Sequence, residues 1–284
     1  MKISEILKSK KLALSFEVFP PKTQMNYGSV LSAVKGIVQA KPDFISVTYG
    51  AGGGTSDYTV AIAREIKNSG ITPLAHLSCI CHGRRDVQLK LGELKSLGIE
   101  NILALRGDIP NGFAGNMDYR YASQLVEDIK KYGGFCIGAA CYPEGHPESD
   151  TLYSDIEHLK LKADAGCDFL TTQMFFDNGV FYSFLCKAQA SGINIPVIAG
   201  IMPVTSRAQV KRISAMTGNV LPVRFRRIVD RFGENPAAMK QAGIAYATEQ
   251  IIDLYANGIS AVHVYSMNKP DVAQAIRANL SEIL

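Results

Sequence analysis

The stretch TPLAHLSC (72–79), the helix-like segment Val87–Leu97 and the run NILALRG (101–107) together decide the fold. Two short runs of apolar and β-branched residues around one helical stretch make a βα unit, which predicts parallel strands and a right-handed crossover. The same alternation continues outward in both directions. LALSFEVF (12–19) and DFISVTY (43–49) precede it. FCIGAACY (135–142), DFLTTQMFF (168–176), IPVIAGIM (195–202) and ISAVHVYS (259–266) follow. Helix-like stretches at Val30–Ala40, Tyr58–Asn68, Ala122–Lys131 and Ser154–Ala165 lie between runs. Asp and Ser are placed as N-caps, and Gly98, Gly166, Gly192 and Gly258 stand where helices should stop. Eight units of the α/β class suit a closed (β/α)8 TIM barrel better than an open doubly wound sheet. The 64-residue step from 195 to 259 leaves room for extra helices between strands 7 and 8, at 206–216, 222–231 and 236–257. No linker or low-complexity segment interrupts the pattern, so residues 1–284 are read as one barrel domain.

With 47% hydrophobic and 20% charged residues, the 284-residue chain has the composition of a globular protein, which excludes disordered and collagen-like classes. A net charge of +4 does not by itself imply a nucleic-acid or membrane partner, and neither is expected. The N-terminal MKISEILKSKKLALSFEVF lacks the apolar core and cleavage site of a secretory signal. The apolar stretch Ile193–Val204 is broken by Pro196, Gly200 and Pro203 and is too short to span a bilayer. Cys136, Cys141, Cys167 and Cys186 lie in or beside apolar runs, as buried reduced thiols do. The expectation is a reduced, cytoplasmic protein.

In a barrel, alternate strand residues point inward and catalytic groups gather at the C-terminal strand ends. Ser15, Glu17 and Phe19 share one face of the first strand, Ser46 and Thr48 one face of the second, His76 and Ser78 one face of the third. Arg106 and Asp108 end the fourth, Tyr142 the fifth, and Thr171, Gln173 and Phe175 share a face of the sixth. Polar groups thus collect at one end of at least six strands, which predicts a site there. Glu17 has two readings: a carboxylate paired with a barrel arginine such as Arg106, or a general acid whose proton desolvation retains. GAGGGT (50–55) is a near miss to the dinucleotide fingerprint and reads better as a glycine-rich site loop. His76, Cys79, Cys81 and His82 form H-x2-C-x-C-H, the basis of an alternative metal-dependent barrel hydrolase, but alternating strand side chains converge poorly and no metal is expected. Asp155 and Lys162, seven apart, fall on one helix face, either solvated or turned to a ligand. Between 206 and 231, Arg207, Lys211, Arg212, Arg224, Arg226, Arg227 and Arg231 face only Asp230, a local +6 that leaves −2 elsewhere. That segment is a solvated face, a subunit contact or an attractor of anions, and a non-enzymatic anion-binding protein is a third reading.

Taken together the segments resemble the methylenetetrahydrofolate reductase family. The match is carried by SFEVFPPK (15–22), ISVTYGAGG (45–53), AHLSC (75–79), ALRGD (104–108), YPEGHPE (142–148), LKLKADAGCDFLTTQMFFD (159–177), GIMPV (200–204) and HVYSMNK (263–269). The resemblance implies an FAD-binding (β/α)8 barrel of one-carbon metabolism and methionine biosynthesis. It implies that NAD(P)H delivers hydride to the flavin and leaves, and that 5,10-methylenetetrahydrofolate then takes the hydride in a ping-pong cycle. By position, Glu17 would be the general acid and Asp108 the aspartate beside flavin and folate. Thr48, Tyr49, Ala51, His76, Arg106, Gly107, Tyr121, Ala122, Tyr142 and His146 would line the FAD site. Asp155, His158 and Lys162 fall at its nucleotide end. Gln173, Gln209 and Lys269 would contact substrate. Two positions depart from many bacterial members, which carry Phe at the place of Ile213 and Arg at that of Lys269. The chain ends after the last barrel unit, so inhibition by S-adenosylmethionine is not expected. A homo-oligomer is expected, and some anaerobic members of the family use an electron-donor partner protein.

Overall fold

The computed structural model describes residues 1–21, 23–49, 56–80, 82–109, 118–217 and 221–284. Eight strands lie within the eight apolar runs. They are β1 (Ala13–Val18), β2 (Phe44–Val47), β3 (Thr72–Ser78), β4 (Asn101–Leu105), β5 (Cys136–Cys141), β6 (Phe169–Thr172), β7 (Val197–Ile201) and β8 (Ala261–Val264). They pair in chain order, all parallel, and β8 returns to β1 to close the barrel. This is the (β/α)8 architecture that the alternation predicts.

The helices cover the outside of the barrel. An N-terminal helix, α1 (Ile3–Ser9), precedes β1. After successive strands come α2 (Tyr27–Val38), α3 (Ser56–Asn68), α4 (Arg84–Ser96), α5 (Ala122–Tyr132), α6 (Leu152–Asp164) and α7 (Asn178–Ala190). Between β7 and β8 lie α8 (Arg207–Thr217), α9 (Val223–Phe232) and α10 (Pro236–Ala256), and α11 (Pro270–Asn279) closes the described chain. Local chemistry sets several boundaries. Asp177 accepts from the Gly179 amide at 2.8 Å to cap α7, and Asn235 accepts from the Ala237 and Ala238 amides at 3.1 Å to cap α10. Gly98, Gly166, Gly192 and Gly258 all have positive φ, as expected of residues that end helices. Among the described residues, no helix is long and apolar enough to cross a membrane.

Strand alternation sorts the core into layers. Leu14, Phe16 and Val18 of β1 join the large cluster between barrel and helices. Ala13, Phe44, Leu74, Leu103, Cys136, Phe169, Ile198 and Ala261, one from each strand, instead form a plug inside the barrel at its N-terminal end. Ile3 and Ile6 of α1 close it from below. The alternation does not predict α1, whose place is fixed by Asn101: its Oδ1 accepts from the Ile3 amide at 2.8 Å. The strand-like run 168–176 is only half strand. β6 stops at Thr172, and Phe175 and Phe176 turn outward to stack on Phe181 and Phe225. Cys79, Cys136, Cys141 and Cys167 are buried thiols, but Cys186 is exposed, a correction to the sequence reading. It falls off the face of α7 that buries Phe181, Phe184 and Ala188.

Candidate active site

Above the apolar plug the barrel interior turns polar. Ser15, Glu17, Ser46, His76, Thr171 and His263 are all buried. The register places Glu17 opposite Ser46 on β2, and Ser15 opposite His263 on β8. Glu17 Oε2 lies 3.4 Å from Ser46 Oγ, 3.6 Å from His76 Nε2 and 3.8 Å from His263 Nε2. His263 Nε2 is 3.0 Å from Ser46 Oγ, and its Nδ1 is 2.7 Å from Ser15 Oγ. Burial takes the His76 pKa down to about 4, outweighing the attraction of Glu17, so its ring is neutral near pH 7. The Arg106 pairing open to Glu17 in the sequence does not form. Arg106 instead grips Glu148 through both terminal nitrogens at 2.6 Å.

Over the ends of β3, β4 and β5, and along α6, the mouth opens into a cavity of about 810 Å³. Of the residues assigned to the flavin by resemblance, Tyr49, Arg106, Gly107, Asp108, Tyr121, Ala122, Tyr142, His146, Asp155, His158 and Lys162 line it. Asp155 and Lys162, two turns apart on α6, therefore face a cavity rather than bulk solvent. Lys162 Nζ donates to the Ala140 carbonyl at 2.6 Å, and burial holds its ammonium below the usual lysine value. Ser149 donates to Asp155 Oδ1 at 3.1 Å. Burial raises the Tyr142 phenol to about 12, and the His146 ring meets it edge-on at 4.6 Å. Gly107 adopts φ +86°, and a Cβ there would lie 2.1 Å from Ser78 Oγ, so only glycine lets the chain turn from β4 across β3.

Thr48 and His76 do not line this cavity; the Thr48 carbonyl accepts from Thr59 Oγ1 at 2.9 Å. Ala51 and the rest of the 50–55 loop fall outside the described residues. The substrate candidates follow β6, β7 and β8 in the chain and do not line this cavity. Thr205 joins two of them: Lys269 Nζ donates to its hydroxyl at 2.7 Å, and its amide donates to Gln209 Oε1 at 3.1 Å. Gln173 extends the β5–β6 ladder by donating its amide to the Cys141 carbonyl at 2.7 Å. Ile213 is buried with Phe176, Met202 and Phe225. In the basic segment, Arg207 pairs with Glu234 and Arg224 with Glu249, while Arg212, Arg226, Arg227 and Arg231 are exposed.

His76, Cys79 and His82 meet three different surroundings. His76 faces the barrel interior, Cys79 is a buried thiol that burial raises to about 11, and His82 Nε2 lies 3.2 Å from the Tyr49 hydroxyl. Cys81 lies outside the described residues. Among the described residues, no group of three or more His, Cys, Asp or Glu is disposed to hold a metal ion. The metal-hydrolase alternative is not favoured.

His263, Thr205 and Glu148 are the residues that sequence reasoning misses. Strand phase contains the signal for His263: it alternates with Ala261 on the inward face of ISAVHVYS. Thr205 and Glu148 lie on loops, where no periodicity points to a partner.

The methylenetetrahydrofolate reductase family model matches residues 2–281. This chain belongs to that family. It is 34% identical to a 5,10-methylenetetrahydrofolate reductase of Pectobacterium carotovorum, covering 94% of this chain and 89% of that one. The Escherichia coli enzyme of the same name is 33% identical, with 94% and 90% covered. Methylenetetrahydrofolate reductase (NADH) 1 of Arabidopsis thaliana is 35% identical over 99% of this chain, which spans only 50% of that relative's length. An uncharacterized Clostridium thermocellum protein that binds two copies of 5-methyl-5,6,7,8-tetrahydrofolic acid superposes with a TM-score of 0.72 over the whole of both chains. At 13% identity that likeness speaks for the barrel alone.

Proposed function

We propose that the protein reduces 5,10-methylenetetrahydrofolate to 5-methyltetrahydrofolate, using FAD and a reduced nicotinamide nucleotide. The observation that carries this reading is Glu17, a carboxyl buried at the end of the barrel where a large cavity opens. The residues present fit a flavin nucleotide. The cavity has the volume of a small-molecule site, and Arg106 and Lys162 bring positive charge to it. Two buried polar atoms of the interior, His76 Nε2 and Thr171 Oγ1, have no hydrogen-bond partner among the described residues. A polar ligand bound at the barrel mouth would supply the partner that each of these atoms lacks.

Bound FAD would supply the hydride relay, from nicotinamide to folate, in a ping-pong sequence. The rest belongs to the chain. Arg106 and Lys162 would hold phosphate, and Asp155 a ribose hydroxyl. Glu17 would protonate a folate nitrogen so that the five-membered ring opens to an iminium. Asp108 would favour that cation electrostatically. Gln173 would hydrogen-bond the pterin, and Gln209 and Lys269, joined by Thr205, would hold the substrate's far end. We place the chain as a single barrel domain, a cytoplasmic homo-oligomer serving methionine biosynthesis; an electron-donor partner protein is a further source of reducing equivalents.

Anaerobic absorbance spectroscopy tests the reading. Protein loaded with FAD should lose its flavin colour on addition of NADH or NADPH and regain it on addition of methylenetetrahydrofolate. Failure of the colour to return rejects the folate assignment. Loss of colour only with a protein donor assigns the electrons to a partner.

A further inference from the structure

The hydrogen bonds around Glu17 can be counted proton by proton. Ser15 Oγ lies 3.1 Å from the Val262 carbonyl and 2.7 Å from His263 Nδ1. Ser46 Oγ lies 3.0 Å from His263 Nε2 and 3.4 Å from Glu17 Oε2. A carbonyl only accepts, so it takes the single Ser15 hydrogen, and Ser15 then accepts from His263 Nδ1–H. Ser46 has one hydrogen for two neighbours. If it donates to His263, Glu17 must donate to Ser46 and is a carboxylic acid. If it donates to Glu17, His263 must also donate from Nε2 and is an imidazolium.

Both arrangements turn all four contacts into hydrogen bonds, and both carry the same four protons. They interconvert when Glu17 passes its proton to Ser46 while Ser46 passes its own to His263. An ionised Glu17 beside a neutral His263 has one proton fewer. It forfeits one of the four contacts and leaves a carboxylate buried. Among the described residues, the titratable groups facing Glu17 are His76 on β3, and His263 and Tyr265, which belong to β8 and the turn after it. His76 is neutral, and Tyr265 is a buried phenol that donates to the Thr172 carbonyl. Neither supplies the missing proton.

We propose that His263, through Ser46, holds one proton in common with Glu17 and is the positioning residue that keeps this acid loaded. The inference rests on the reading of Glu17 as the proton donor to folate.

Rapid-reaction kinetics of the folate half-reaction, measured against pH on flavin-loaded protein, provide the test. The wild-type rate should fall as pH rises and the shared proton is lost. His263→Phe keeps a ring against Phe44 but removes both nitrogens, and the fall should move about one pH unit lower, the worth of one hydrogen bond. Ser46→Ala should give the same shift, and His263→Gln, whose amide can serve Ser46 either way, should restore at least half of it. Flavin reduction by the nicotinamide nucleotide should be unchanged. A lower rate with unaltered pH dependence means a structural role and overturns the proposal. Unimpaired folate reduction in Glu17→Gln would instead reject Glu17 as donor, a separate failure. Ring ¹⁵N NMR of His263 in the wild-type protein reads the network whether or not the variants fold. An Nδ1–H tautomer or an imidazolium supports it, and a neutral Nε2–H tautomer overturns it.

Discussion

The two ends of the barrel interior are built from the same eight strands and the same alternation, yet they differ in almost every physical respect. At the N-terminal end each strand contributes one residue to a dry plug, and α1 seals it with Ile3 and Ile6. At the other end the inward positions carry Ser15, Glu17, Ser46, His76, Thr171 and His263, all buried, two of them with unpartnered polar atoms. Apolar packing at the bottom stabilises the closed barrel, and that stability allows the top to keep polar groups in costly positions. One end holds the fold together, and the other is where we propose the chemistry takes place.

Substitution at each end should therefore fail in a different currency. Glu17→Gln removes the proton while preserving shape, and should slow the folate half-reaction by about 10²- to 10⁴-fold. Thermal stability and flavin binding should change little. Stopped-flow measurement of each half-reaction decides, and a comparable loss in flavin reduction would break the division between the ends. Phe169→Ala at the bottom should do the reverse. Phe169 is fully buried and its ring touches Gly138, so the cavity it leaves should cost about 3–5 kcal/mol in chemical denaturation. The ratio of the two half-reaction rates should stay that of the wild type in protein that remains folded.

How much of this contrast is legible in the sequence follows from periodicity. Eight apolar runs with helical stretches between them are a long-range repeat, and the strands fall where that repeat puts them. Inward phase also makes Glu17 and His76 conspicuous, because an ionisable group on an apolar strand breaks the local pattern. What periodicity leaves dark depends on side chains meeting across distant segments. Arg106 chooses Glu148 rather than Glu17 because the turn at Gly107 carries it out over the cavity. Thr205 joins Gln209 to Lys269 only once β7 and β8 are adjacent. Phe175 and Phe176 continue an apolar run yet leave the sheet, since their rings fit the helical layer.

His76 sharpens the comparison through pH. Its ring is neutral when folded, with a pKa near 4 against 6.5 for the free side chain. Between those values the unfolded chain binds a proton that the native one refuses, so stability falls as pH drops through that window. The loss is at most about 3 kcal/mol by pH 4. In His76→Gln the acid-side loss of unfolding free energy, read by chemical denaturation against pH, should be smaller by that amount. An unchanged acid limb would mean that the ring accepts its proton in the folded barrel and that the top is less dry than its burial implies.

The smallest effect belongs to the cavity rim, where Glu148 is mostly exposed although it forks Arg106. An ion pair open to solvent contributes no more than about 1 kcal/mol, so Glu148→Gln should lower the melting temperature only slightly. Arg106 holds the Glu148 carboxyl below the usual carboxylate value. The stabilisation is therefore present above the unfolded-state value and is lost as pH falls through the folded one, where variant and wild type should converge. Binding should move the other way. The glutamine side chain keeps one acceptor oxygen, so Glu148→Gln frees one terminal nitrogen of Arg106 and makes the cavity more positive, which favours a phosphate-bearing ligand. Fluorescence titration with FAD and with riboflavin, which lacks phosphate, separates this from a general change of shape. FAD affinity should rise by about threefold to tenfold while riboflavin affinity is unaffected, because one charge-assisted contact is released for the phosphate alone. Equal changes for both ligands would place the phosphates away from Arg106 and leave Lys162 as the cation that meets them.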